Sequence, residues 1–83
     1  MKKQQNLDFL IGRHIAQLRS AKGLTQDQFV AKMQTMNCDI SRGTLAKIES
    51  GIRHIYAYEI YCIHSILGCT YEELFQPYKE GRI

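Results

Sequence analysis

The sequence has one proline, no low-complexity run and no stretch of alternating apolar and polar residues bounded by hairpin turns. Together these exclude a sheet of useful size and a long disordered region. No apolar run long enough for a signal sequence or a membrane span follows the basic N-terminus, Met1 to Gln5. The expectation is therefore a soluble, cytoplasmic protein with no membrane partner. The three cysteines, Cys38, Cys62 and Cys69, are odd in number and form no C-x-x-C pair, which excludes a disulfide framework and a zinc finger and fits a reducing compartment. Nucleophile elbow, phosphate-binding glycine loop and His-x-x-x-His spacing are all missing, and the carboxylates are scattered along the chain. No enzymatic activity, metal or other cofactor is expected.

The 83 residues fit one small domain with room for one function, and a 45% hydrophobic composition suits a folded core. Eleven Lys and Arg against eight Asp and Glu give a net charge of +3, too little to name a partner. The placement of the charge says more. Between Ser41 and His54 lie Arg42, Lys47, Arg53 and His54, with Glu49 as the only acidic residue, which makes a local basic patch.

Apolar periodicity and capping residues divide the chain into helices. Leu7, Leu10, Ile11, Ile15 and Leu18 recur at three- and four-residue spacing and predict a helix from about Asn6 to Lys22, stopped by Gly23. Thr25 with Gln28 forms a capping box that opens a second helix, and Ser41 caps a third that ends at Gly51. Ile60, Ile63, Ile66 and Leu67 mark a fourth over about Tyr56 to Leu67, closed by Gly68. Thr70 with Glu73 opens a fifth. Each of the three capped starts has an apolar pair across it, Leu24 with Phe29, Ile40 with Leu45, and Cys69 with Leu74. Such staples fix the angle at which the chain enters a helix. The expected class is all-α: a flexible basic segment at 1–5, a five-helix domain at 6–75 and a mobile or lightly docked tail at 76–83.

Three stretches carry a family resemblance: IGRHIAQLRSAKGLTQ from Ile11, ISRGTLAKIESG from Ile40, and YEELF from Tyr71. In this order and spacing the chain resembles the phage-repressor-type helix-turn-helix proteins, also called Cro-like or XRE-type, over about Leu7 to Phe75. The resemblance implies a lambda-repressor-like domain that reads double-stranded operator DNA. Its third helix would enter the major groove while the second braces it. Arg42, Gly43, Thr44 and Lys47 are then the expected base-reading positions, since Arg and Lys donate to guanine and the Thr methyl touches a thymine methyl. Gly43 is either tolerated slack in a first turn or a device for close approach of the backbone to the groove. Thr25, Gln26, Ser41, Ser50, Arg53 and His54 are the expected phosphate contacts, with Gln26 at the positive end of the second helix. Arg19 and Glu49 match positions that form a partly buried ion pair in the family, here expected to be structural.

The sequence departs from that pattern at QTMNCD from Gln34, where the spacing from Met33 to Ser41 is about five residues longer than in the family. The second helix is accordingly expected to run on to near Met36, with Asn37 and Asp39 making the bend. His14, His54, His64, Cys62 and Cys69 do not form a metal set, because Cys62 and His64, two apart on one helix, face different sides. Tyr56, Tyr58, Tyr61, Tyr71, Phe75 and Tyr78 divide between core packing and a surface on which a homodimer could form. The expected function is a transcription regulator, a repressor acting by operator occupancy. The rival is a protein-interaction module, such as an antitoxin or a repressor partner, on the same fold.

Overall fold

A computed structural model describes residues 3–79, so Met1 and Lys2 of the expected N-terminal segment, and 80–83 of the expected tail, lie outside the described residues. Six helices follow one another: α1 (Lys3–Ala21), α2 (Gln26–Thr35), α3 (Arg42–Glu49), α4 (Ala57–Leu67), α5 (Tyr71–Leu74) and α6 (Gln76–Lys79). The described residues contain no strand, and their radius of gyration of 11.9 Å matches the roughly 12 Å of a folded chain this long.

The starts of α2, α3 and α5 follow their capping residues. Thr25 Oγ1 accepts from the Gln28 N–H while Gln28 Oε1 accepts from the Thr25 N–H, and Thr70 and Glu73 repeat the exchange. Ser41 Oγ accepts from the Thr44 N–H at 3.1 Å. Each bond satisfies an amide that the helix itself leaves without a partner. At the far end of α2, Asn37 adopts a φ of +61°. Its N–H donates to the Gln34 carbonyl and the Cys38 N–H to the Met33 carbonyl, both at 3.0 Å, a Schellman ending in which asparagine takes the usual place of glycine. The longer segment after Met33 is thereby spent on an extra half-turn of helix and a closed bend.

Two boundaries differ from expectation. α1 begins at Lys3, inside the segment read as flexible, and the expected tail supplies α6, packed against α1 with Pro77 buried. Proline is tolerated here because the first turn of a helix uses no intrahelical N–H.

α1 is the spine, touching α3, α4, α5 and α6, while α2 bridges α3 and α4. Ile11, Ile15, Phe29, Met33, Leu45, Ile48, Ile63 and Leu74 fill the core between them. Cys38 lies in the same core, and burial, with Cys62 and Glu59 close by, pushes its thiol up to about 11 from an ordinary 9.0. Below pH 9 the thiol is protonated in both states and contributes no pH dependence. As pH rises from about 9 to 11 the unfolded chain releases its proton first, so folding loses about 2 kcal/mol over that range. Urea midpoints at pH 7.5 and 10.5 for wild type and Cys38→Ala should therefore converge or cross, and curves that stay parallel would contradict this.

Candidate nucleic-acid interface

Two features seat α3 on the rest of the domain. Leu45 and Ile48 are fully buried, and α1 lies so close that a Cβ built at Gly12 would overlap the carbonyl oxygen of Ile48 and lie 3.0 Å from that of Glu49. Helix packing at this separation requires a residue without a side chain. The opposite face of α3 is left outward, with Arg42, Gly43, Lys47 and Ser50 exposed and Thr44 and Ala46 half-buried. Sequence reading passed over Ala46, which stands one turn after Arg42 and can offer its methyl to a thymine.

Glu49 anchors the end of α3. Arg19 Nε donates to its Oε2 at 2.7 Å and Arg19 Nη2 to its Oε1 at 3.2 Å, while Arg19 Nη1 donates to the Leu24 carbonyl at 2.7 Å. The two side chains are 14% and 8% exposed. A forked pair with this little solvent fixes the geometry of the joint between α1, α2 and α3.

The structure divides the expected phosphate contacts into two groups. Thr25 and Ser41 are exposed at the starts of α2 and α3, and each cap bond uses only an oxygen lone pair. The Thr25 hydroxyl proton can still be donated, and that of Ser41 is shared with Thr44 Oγ1 3.0 Å away. Gln26 Nε2 donates to Glu49 Oε1 at 2.9 Å and Gln26 Oε1 accepts from Arg42 Nε at 3.4 Å, so its amide is largely engaged within the protein.

The second group makes side-chain bonds within the protein. Ser50 Oγ donates to the Lys47 carbonyl, and His54 Nδ1 meets Asp8 Oδ2. Arg53 departs furthest from expectation. Its Nη1 and Nη2 reach the two oxygens of Glu59 at 2.9 Å each, Nη1 also donates to the His54 carbonyl, and the guanidinium lies over the Tyr56 ring at 4.8 Å. Glu59 is fully buried, and its bond holds the Arg53 guanidinium above its ordinary range. Arg53 is thus the counter-charge of a buried carboxylate. The window that made it part of a basic patch stopped at His54, short of Glu59.

At the metal candidates, His64 stacks on Tyr71 with ring centroids 4.0 Å apart and its Nδ1 lies 3.0 Å from the Cys69 carbonyl. Cys62 is buried on the core side of the same helix. Among the described residues no three His, Cys, Asp or Glu side chains are grouped to hold an ion, and no helix is long and apolar enough to cross a membrane. No family model, curated protein or solved structure matches the chain.

Proposed function

We propose that the chain is a sequence-specific double-stranded DNA-binding transcription regulator of the lambda-repressor-like, XRE type, a repressor that acts by occupying its operator. α2 and α3 then form the helix-turn-helix, with α3 as the reading helix. One observation carries this reading. α3 is fixed on its inner face by Leu45, Ile48 and the Arg19–Glu49 pair, while its outer face offers Arg42, Gly43, Ala46 and Lys47 without a carboxylate among them. A rigid helix with two cations and small residues between them suits a major groove. Thr25 and Ser41 would hold phosphates at either side.

The outward face of α4 favours a homodimer reading two half-sites. Tyr58 and Tyr61 are each more than half exposed there, and the one acidic residue of that helix, Glu59, points inward. A neutral face whose hydroxyls both donate and accept can meet its own copy across a two-fold axis.

The test is selection from a mixed pool of short duplexes at moderate salt, with wild type and an Arg42→Ala, Lys47→Ala variant compared. Wild type should enrich a two-fold symmetric consensus, and the variant should bind it at least about thirty-fold more weakly while keeping its helical spectrum, since two base contacts at about 1–3 kcal/mol each are removed. Weak, salt-sensitive binding without enrichment, equal in both proteins, would leave only phosphate attraction and turn the search to a protein partner.

A further inference from the structure

Two thiols meet in the core and have no part in the DNA contacts above. Cys38 is fully buried in the bend that follows α2, Cys62 is 5% exposed on α4, and their side chains share a hydrogen bond. Both are free cysteines. A buried cysteine by itself serves as a small apolar residue. Two in contact bring sulfur against sulfur, so each is within reach of the other as a covalent partner.

The cover over this pair is thin. Asn37 and Asp39, on either side of Cys38, are both exposed. The bend is closed by the Asn37 and Cys38 N–H groups on the Gln34 and Met33 carbonyls, and by Gln34 Nε2 on the Ile40 carbonyl at 3.4 Å. A segment held by so few bonds opens locally at much less cost than the whole domain, and its opening uncovers both sulfurs. The same bend joins α2 to α3: Ile40, two residues on, is buried, and Ser41 caps α3.

We infer that Cys38 and Cys62 form a pair that a hydroperoxide closes into a disulfide, and that closure lowers the affinity of the domain for its operator. The effect on DNA rests on the DNA-binding reading above, whereas the closure does not. With hydrogen peroxide, Cys62 attacks as the thiolate, being the less buried of the two. Its sulfur bonds to one peroxide oxygen, the O–O bond breaks, and the other oxygen takes up a proton and leaves as water, so that Cys62 becomes a sulfenic acid. The Cys38 sulfur then attacks that of Cys62. The S–O bond breaks, and the departing hydroxide takes the Cys38 proton and leaves as a second water. Two electrons pass from the two thiols to the peroxide. Cys38 suits the second step, because burial keeps its proton in place at neutral pH.

An S–S bond is about 2.0 Å long, well inside the contact distance of two thiols. Ile63 and Leu67 fix α4 in the core, so the bend is the part that moves, and Ile40 and Ser41 carry the movement to the start of α3. A binding constellation tolerates displacements of only about 0.5 Å, so Thr25 and Ser41 would no longer meet the phosphates that suit the reduced form.

The test uses the full chain with Cys69→Ser, which removes the third thiol, and hydrogen peroxide as oxidant. Treated protein should yield a tryptic peptide joining 33–42 to 54–79 through a disulfide, and an intact single-chain mass lower by two hydrogens. Its Tm should rise by roughly 10 °C, the scale for closing a loop of about 25 residues. Affinity for the selected duplex should fall by about ten-fold or more and return on addition of dithiothreitol. Cys38→Ala and Cys62→Ala, each in the same background, should bind the duplex equally well before and after peroxide, and either one suffices if the other fails to fold. Sulfinic or sulfonic acids without the linked peptide, or a bridge between two chains, would overturn the inference. Linked protein with unchanged affinity would overturn it too. So would a loss of binding shared by both alanine variants, which would place the damage on a methionine such as Met33 or Met36. If untreated protein enriches no duplex at all, the DNA-binding reading fails and the effect on the operator with it, while the linked peptide and the Tm still decide whether the pair closes.

Discussion

Gly12→Ala is expected to destabilise the domain by about 3 kcal/mol, the upper part of the range for overpacking. The clash is with backbone: the new methyl would overlap the Ile48 carbonyl and press on that of Glu49. A carbonyl in a helix cannot rotate away without breaking its own bond, so α3 would have to retreat from α1. That movement would strain the Arg19–Glu49 fork that spans the same joint. In a domain this small the loss corresponds to a fall in Tm of roughly 12–24 °C, read by thermal melting followed at 222 nm. Gly43→Ala is the control on α3 itself. A Cβ there meets only Ser41 Oγ, at an ordinary 3.7 Å, so the variant should gain about 1 kcal/mol of helix stability. If Gly43 also serves close approach to DNA, that more stable variant would bind the operator less well. A Gly12→Ala protein that melts with wild type would mean that α1 and α3 are not held at this separation.

Helix starts and stops were legible in the sequence because they are set within a few residues of one another. Thr25 with Gln28 and Thr70 with Glu73 specify their amides locally, and Asn37 could be named as the bend because few residues besides glycine accept its backbone angle. α6 was missed because Pro77 reads as a breaker unless it is known to fall in a first turn. The outward side chains of α3 were also legible, since the burial of Leu45 and Ile48 leaves them nowhere else to point.

What the sequence concealed was which polar groups meet across elements. Gly12 carried a signal, a glycine in mid-helix, but only the approach of α3 gives it a reason. Asp8 on His54, Asp27 on Arg42 and Gln26 on Glu49 join residues 15 or more positions apart, beyond the reach of helical periodicity. Arg53 and Glu59 are close in sequence, yet the turn into α4 decides that one lies over the other.

Arg53→Met should cost about 3–5 kcal/mol, because it leaves the Glu59 carboxylate buried with only the Tyr56 N–H still bonded to it. That is a large part of what a domain of this size has, so much of the population should be unfolded at 37 °C. Urea denaturation would measure the loss. Adding Glu59→Leu to Arg53→Met removes the stranded charge and should restore most of the stability, since replacing both members of a buried pair by apolar side chains is often close to neutral. The refolded double variant then decides what Arg53 does for binding. If the residue is only the counter-charge of Glu59, the double variant should bind the selected duplex within about three-fold of wild type, with an unchanged dependence on salt. A phosphate contact made through Arg53 would lower affinity on all sequences and reduce the slope of log affinity against log salt by about 0.9. Recovery of folding without recovery of binding would therefore return Arg53 to the interface, and recovery of both would leave Arg53 outside it.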